Sequence, residues 1–299
     1  MPEAPRLLLI TLSNIGDLIM TTPVMEVLHY RYPQARLDVV ADARSSELLR
    51  HCPYLGELLH KDKKAGWRGV LALLRRLRRT RYELSVDLRS DGLSYLLRAR
   101  RRLHKWSGQP LGAHAVQQHL GVVAALLDGE PPLPRIWLSA AERAFAAAAL
   151  PAGGRWLALA PGANWPPKRW PAARFAELAR ALADTVDGVV LLGSQADQAD
   201  CRAIAAGLPL PAVNLSGQTG LLAAAAVLER CALFVGNDSG LGHLAAAVGI
   251  PTVTVFGPGQ PLRYHPWGLR SRYLLAPDAD LARLEAGPVA DAARGLLAG

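Results

Sequence analysis

Short apolar runs alternate with longer mixed segments along the chain and predict alternating strands and helices. The first run, residues 6–12, precedes a polar loop at 13–17 and a helix that begins near Leu18 or Thr22 and ends at Tyr32. A continuous apolar run is typical of a parallel strand buried on both faces. The same pattern predicts further strands at residues 37–41, 84–88, 156–160, 189–192, 212–215, 233–235 and 252–256.

Two stretches rich in proline and glycine, residues 130–134 and 151–154, bracket an alanine-rich helix and separate two series of strands. A chain of 299 residues is long enough for two domains with a core each. The alternation predicts an α/β protein with a doubly wound sheet in each half. We predict one domain at residues 1–150 and a second at 151–299, whose last helix packs back toward the first.

Composition excludes several classes of protein. Half of the residues are apolar and a fifth are charged, which is typical of a globular enzyme rather than a disordered chain. Cys52, Cys201 and Cys231 are too isolated for a zinc or dithiol motif, and their odd number favours a reducing compartment. No apolar run approaches the roughly 18 residues of a membrane span, and the amino terminus does not resemble a secretory signal. These features predict a cytoplasmic protein.

The net charge of +9 is concentrated in one region, since residues 61–105 hold fifteen Lys or Arg against four Asp or Glu. This region is either a set of solvated helix faces or a surface that attracts polyanions. An acidic membrane face and a phosphorylated substrate are polyanions of this kind. Nucleic acid is disfavoured, because no helix-turn-helix, zinc-finger or aromatic RNA-binding signature accompanies the charge.

The segment at residues 235–258 predicts a strand, a polar turn, a helix and a second strand. Asp238 and Ser239 lie in the turn, and the helix begins near Gly240. Ligands of open α/β sheets bind at the carboxyl ends of strands, and free amides at a helix start attract phosphate oxygens. The alternative is an ordinary helix that these two residues cap. His243, one turn into the helix, favours a binding site.

The loop at residues 161–171 opens the second half and carries two cations, Lys168 and Arg169, between prolines. Either cation could neutralise a pyrophosphate. The alternative is a surface turn that Trp170 anchors in the core, and the two interpretations are compatible. The next strand leads to Asp197, which suits either a grip on ribose hydroxyls or a plain helix cap.

The loop at residues 13–17 follows the first strand and presents Asp17. This carboxylate is either a first-turn helix acid or a general base. The loop contains neither the Gly-x-Gly-x-x-Gly of a dinucleotide site nor the Gly-Lys-Ser/Thr of a P-loop.

Together these motifs resemble those of glycosyltransferase family 9, the heptosyltransferases of lipopolysaccharide core assembly. The match runs from residue 6 to about residue 267. Each motif is common alone, but their order is specific. They are Ser13-x-Ile15-Gly16-Asp17 with Thr21-Thr22-Pro23, Pro161-Gly162-Ala163 with Lys168-Arg169-Trp170-Pro171, Gly193-Ser194, and Asp238-Ser239-Gly240-x-x-His243-Leu244-Ala245-Ala246-Ala247 with Phe256-Gly257-Pro258.

The resemblance implies a GT-B fold, in which two Rossmann-like domains face each other across a cleft. It also implies an inverting, metal-independent transfer of L-glycero-D-manno-heptose from ADP-heptose, with no cofactor. Asp17 matches the catalytic base, Lys168 the phosphate-binding lysine and Asp197 the acid that holds the ribose. The remaining matches to the donor-binding positions are Asp238, Ser239, Gly240, His243, Ala163, Asn164 and Thr219.

The resemblance places acceptor binding in the amino-terminal domain, where this chain departs from the family pattern. Relatives often read Asp-Leu-Gln-Gly after the strand at 84–88, whereas this chain continues with Arg89, Ser90 and Asp91. We expect Ser13, Asn14, Arg89 and Asp91 to contact the acceptor. A phosphorylated, Kdo-containing lipid A core on the cytoplasmic face of the inner membrane would suit the basic region. The alternatives are another nucleotide sugar, another acceptor, or a non-enzymatic polyanion-binding protein of the same fold.

Overall fold

The computed structural model describes residues 4–60, 64–90 and 92–298. The chain divides into two compact units between Trp137 and Leu138. Each unit is built around its own parallel β-sheet, which confirms the predicted α/β class. Within the described ranges, none of the helices combines the length and the apolarity that crossing a bilayer requires.

The amino-terminal unit is a five-stranded sheet with helices packed on it. Its elements are β1 (Arg6–Ile10), α1 (Ile15–Arg31), β2 (Arg36–Ala41), β3 (Leu55–His60), α2 (Gly66–Leu77), β4 (Tyr82–Asp87), β5 (Ala99–His104) and α3 (Ala115–Val122). The strand order is β3-β2-β1-β4-β5, and every neighbouring pair is parallel. Leu73 and Leu77, one turn apart on α2, share an apolar cluster with Leu8 and Ile10 of β1.

The carboxyl-terminal unit repeats this plan with six strands. Its elements are α4 (Ala140–Ala149), β6 (Trp156–Ala160), α5 (Ala172–Ala181), β7 (Gly188–Leu191), α6 (Gln198–Ala206), β8 (Ala212–Asn214), α7 (Leu221–Glu229), β9 (Cys231–Asn237), α8 (Gly240–Ala247), β10 (Thr252–Phe256), α9 (Pro261–Tyr264), β11 (Ser271–Leu275) and α10 (Ala286–Ala298). The order is β11-β10-β9-β6-β7-β8, again with parallel neighbours.

The central strands agree with the sequence prediction, and β6 and β10 have the predicted bounds. Helix α1 begins at Ile15, earlier than predicted, so Asp17 lies in its first turn. The prediction omitted β3, β5 and β11, which are all edge strands.

Helix α4 and the last helix both belong to the carboxyl-terminal unit. Helix α4 packs against α7, so the chain divides before α4, whereas the predicted boundary at residue 150 lies after it. Helix α10 begins at Ala286 and packs against α5, β9 and β10. Val289 and Ala293, spaced by one helical turn, are buried in that contact. The helix therefore buries apolar side chains within its own unit, and its packing toward the first domain stays a prediction.

Candidate functional site

The carboxyl-terminal sheet has a switch point between β6 and β9. From β6 the chain proceeds outward through β7 and β8, and it then returns to the other side of β6 for β9 and β10. Ligands of open α/β sheets bind where the loops from two such strands diverge. Lys168 lies in the loop after β6 and Asp238 in the loop after β9, and Lys168 Nζ is 2.5 Å from Asp238 Oδ2. The structure therefore brings these two predicted site residues together.

The amino terminus of α8 begins directly beside this ion pair. Ser239 is the N-cap residue, yet its side chain does not cap the helix. Its Oγ is buried and neither donates nor accepts a hydrogen bond among the described residues. The first-turn amides thus remain available to an anion, and the helix dipole favours negative charge there. His243 is buried one turn further on.

Arg169 points to a different set of partners from those of Lys168. Its guanidinium lies 3.1 Å from Asp197 Oδ1 and 3.7 Å from Asp200 Oδ2, and its Nε donates to the Ala163 carbonyl at 3.0 Å. The second carboxylate oxygen of Asp197 accepts from the Ser194 backbone amide at 2.8 Å and from its hydroxyl at 2.6 Å. Asp197 therefore closes a capping box with Ser194 on the short helical turn Gln195–Asp197, whereas its side chain does not cap α6. Its contact with ribose stays a prediction.

Asn237 holds in place the loop at residues 161–171, which carries Lys168. No motif in the sequence points to this role. Asn237 is the last residue of β9 and is fully buried. Its Oδ1 accepts from the Trp170 backbone amide at 2.9 Å, and its Nδ2 donates to the Pro161 carbonyl at 2.6 Å. Trp170 is buried and donates its indole N–H to the Leu284 carbonyl at 2.9 Å, which confirms its expected role as an anchor. Both ends of the loop that carries Lys168 are thereby fixed.

Asn237→Ala is expected to lower the free energy of unfolding by about 1–3 kcal/mol, since it leaves a buried N–H and a buried C=O without their partners. Urea denaturation followed by circular dichroism measures this change. Asn164, which is exposed in the same loop, offers the matched control, and Asn164→Ala should change stability by less than about 0.5 kcal/mol. Equal effects of the two substitutions would show that Asn237 does not fix the loop.

The other predicted donor residues occupy the same edge of the sheet at different distances from the ion pair. Ala163 is buried and offers its carbonyl to Arg169, while Asn164 is exposed. Thr219 is half-buried in the loop after β8, an edge strand two positions from β6. The structure therefore brings together Lys168, Asp238, Ser239 and Gly240 most closely, and it places Thr219 farther along the edge.

The amino-terminal sheet has an equivalent switch point between β1 and β4. Ser13 and Asn14 follow β1, Arg89 follows β4, and Arg89 Nη1 lies 3.4 Å from Ser13 Oγ. Asp17 is half-buried in the first turn of α1, and its Oδ2 accepts from Asn14 Nδ2 at 2.8 Å. Four of the five predicted residues of this half therefore share one edge, and the fifth, Asp91, lies outside the described residues.

Asp87 is a second positioning residue that sequence analysis did not select. It is fully buried at the end of β4, and its Oδ1 accepts from the backbone amides of Arg89 at 3.0 Å and Ser90 at 2.5 Å. Ser90 has a left-handed φ of 56°, which an L-residue adopts only when its surroundings hold it there. The carboxylate therefore sets the turn that presents Arg89.

A cavity of about 490 Å³ lies at this switch point. Ser13, Asp42 and Arg89 are among its polar lining residues, and its apolar walls include Ile10, Val70, Leu73 and Leu96. Its volume and its mixture of apolar walls with few polar groups are typical of a small-molecule site. The amino-terminal unit can thus hold a group of roughly sugar size beside Arg89.

The cysteines are excluded from the chemistry of either site. All three lie in the described part of the chain, are buried and form no disulfide. Burial raises the pKa of Cys52 and of Cys201 to about 11, and that of Cys231 to about 12, because a thiolate is poorly solvated there. Among residues 4–60, 64–90 and 92–298, no three His, Cys, Asp or Glu side chains are grouped as a metal site.

Comparisons with known proteins place this geometry in a family. The model of glycosyltransferase family 9 (heptosyltransferase) matches residues 72–287. Lipopolysaccharide heptosyltransferase 2 of Escherichia coli K12 is 31% identical over 293 residues, which cover 86% of this chain and 84% of the relative.

Two solved structures share the fold over nearly their whole length. The E. coli ADP-heptose lps heptosyltransferase II superposes with a TM-score of 0.80 at 26% identity, covering 98% of each chain. A glycosyl transferase family 9 protein of Veillonella parvula gives 0.86 at 23% identity, covering 100% of this chain and 99% of the other. The likeness covers both sheets and confirms the predicted GT-B fold.

Proposed function

Because this chain belongs to glycosyltransferase family 9, we propose that it transfers L-glycero-D-manno-heptose from ADP-heptose to a Kdo or heptose hydroxyl of the lipopolysaccharide inner core. The observation that carries the proposal is the open amino terminus of α8 beside the Lys168–Asp238 pair. A nucleotide diphosphate is the donor group that this combination of lysine and helix amides suits.

In the proposed donor complex, Lys168, Ser239 and the first amides of α8, from Gly240, hold the diphosphate. Lys168 is a better candidate than Arg169, because the Arg169 guanidinium already contacts two carboxylates and a carbonyl. His243 and Asp238 lie around the diphosphate and the sugar in this complex. Asp197 binds the ribose, and weaker contacts with the nucleotide come from Ala163, Asn164 and Thr219.

The proposed reaction is an inverting displacement at the anomeric carbon. The acceptor hydroxyl attacks that carbon opposite ADP, the bond to the diphosphate oxygen breaks, and ADP leaves with the electron pair. Asp17 takes the proton of the attacking hydroxyl as general base. Lys168 and the α8 amides stabilise the charge that develops on the leaving diphosphate.

For the acceptor we propose the cavity at the β1–β4 switch point, where Ser13 and Arg89 contribute polar groups. Asn14 and Asp91 stay further predicted acceptor contacts. A guanidinium suits a carboxylate or phosphate group, and the inner core carries both. Such an acceptor is anchored in lipid, so we place the enzyme in the cytoplasm, in peripheral electrostatic contact with the inner membrane.

Mass spectrometry of a reaction with ADP-heptose and a Kdo-bearing lipid A acceptor tests the proposed function. A gain of one heptose mass on the lipid is the expected result. Tight ADP binding without product would keep the donor site and redirect the search to other acceptors. Neither product nor ADP binding would overturn the donor assignment in favour of another nucleotide sugar.

Metal independence is a separate expected outcome. The proposed chemistry neutralises the diphosphate with Lys168 and helix amides, which supply the charge that a divalent cation provides in other transferases. The initial rate in excess EDTA should stay within about twofold of the rate without chelator. A rate that falls in EDTA and returns with one added metal would contradict this expectation.

A further inference from the structure

Helix α2 separates a basic groove from the proposed acceptor cavity. Its buried residues face the sheet, and its exposed side carries arginines at helical spacing. We call the space between this side and the end of β3 the arginine groove. It measures about 810 Å³ and is lined by Arg68, Arg75, Arg76 and Arg79. The described residues that line it include no acidic side chain, and Arg76 is paired with Glu57 of β3.

Trp67 adds a large apolar ring to this basic surface. It is 71% exposed in the first turn of α2, and the Arg68 guanidinium lies 5.7 Å from its ring centroid. An exposed indole is costly in water, whereas tryptophan and arginine together are favoured where a protein meets lipid headgroups. The composition of the surface thus suits an anionic, partly apolar partner.

The position of α2 links this surface to the acceptor cavity. The helix follows β3, so it begins at the edge of the sheet where the strands end and where the cavity lies. Val70 and Leu73 of α2 line the cavity, and Leu73 also lines the arginine groove. Leu96, on the cavity wall, is itself exposed. A partner bound to α2 would therefore lie directly beside the cavity.

We propose that the arginine groove and Trp67 form the surface on which this protein docks to a membrane of anionic phospholipid. The inference rests on the proposed function, in which the acceptor is lipid-linked and must reach the cavity from a bilayer. The arginines attract the phosphate headgroups, and Trp67 inserts its ring at the headgroup level.

Co-sedimentation with vesicles tests the electrostatic part. Wild type should bind vesicles of 30% phosphatidylglycerol in phosphatidylcholine and should not bind pure phosphatidylcholine. Replacing Arg68, Arg75 and Arg79 together by Gln should weaken the partition coefficient on the order of 100-fold at low salt. The matched control replaces three exposed arginines elsewhere, Arg31, Arg155 and Arg202, by Gln. An equal loss of vesicle binding in both triple variants would show that net charge alone explains the binding, and it would overturn the proposal.

Quenching by brominated phospholipid tests the contact of Trp67. Wild-type fluorescence should be quenched on anionic vesicles, and Trp67→Phe should lose most of that quenching. Trp106 is 65% exposed outside α2 and provides the control, so Trp106→Phe should retain the quenching. Quenching that persists in Trp67→Phe and is lost in Trp106→Phe would show that the lipid contact lies outside α2, and it would overturn the proposal.

Activity on two acceptors separates this inference from the proposed function. The Arg68, Arg75 and Arg79 triple variant should keep wild-type transfer to a deacylated, water-soluble acceptor and lose transfer to the same sugar in vesicles. Loss with both acceptors would make the groove a subsite for acceptor phosphates and overturn membrane docking. If wild type binds vesicles but transfers to neither acceptor, the proposed function fails while docking stands.

Discussion

Asp17→Asn is expected to lower the rate of heptose transfer by about 10²- to 10⁴-fold, the range for removal of a general base. The amide oxygen of the new side chain can still accept from Asn14 Nδ2, which donates to Asp17 in the native protein. The fold of the loop and the donor site should thus survive. Single-turnover assays measure the rate, and calorimetric titration should find the ADP dissociation constant within about threefold of wild type.

A matched control separates this role from a structural one. Asp17 lies in the first turn of α1, where a carboxylate stabilises the helix dipole by about 0.3–1 kcal/mol. Glu142 occupies the first turn of α4 in the other unit, so Glu142→Gln should cost similar stability without slowing transfer. If Asp17→Asn abolishes ADP binding, or if both variants slow transfer equally, Asp17 acts as a structural helix acid.

The central strands could be predicted from sequence because they are buried on both faces. Every residue of β6 and β10 is buried, and the predicted bounds of both strands agree with the structure. β6 is an uninterrupted apolar run, and β10 reads Thr-Val-Thr-Val-Phe, in which four of the five residues are β-branched. β3, β5 and β11 have one paired side and more exposed faces, and edge strands of this kind tolerate charge. β5 reads Ala-Arg-Arg-Arg-Leu-His, which carries no apolar signal.

Only part of the candidate site could be predicted from the sequence. Lys168 and Asp238 could be selected because each follows a predicted strand, and the ends of parallel strands share one edge. The role of Asn237 could not, because its partners Trp170 and Pro161 lie 67 and 76 residues away along the chain. The ion pair between Arg169 and Asp197 could likewise not be predicted, because it depends on the fold and not on the spacing of the motif.

Lys168→Ala is expected to weaken ADP binding by about 1.5–3 kcal/mol, the range for a hydrogen bond to a charged group. It should also lower kcat/KM by about 10²- to 10³-fold, because charge on the diphosphate grows as ADP departs. Arg169→Ala should instead destabilise the fold, since Asp197 is buried and loses its nearest cation. Unchanged ADP affinity in Lys168→Ala and a loss in Arg169→Ala would assign the phosphate contact to Arg169.

The Lys168–Asp238 ion pair permits a sharper test of the electrostatics. Removing the lysine leaves the Asp238 carboxylate, 2.5 Å from the former ammonium, without its cation beside the diphosphate. Part of the loss in Lys168→Ala should therefore be repulsion between Asp238 and ADP. Adding Asp238→Asn should recover some of that affinity, which a double-mutant cycle of ADP titrations measures. Additive losses would place Asp238 outside the field of the diphosphate, and its contact would then be with the sugar.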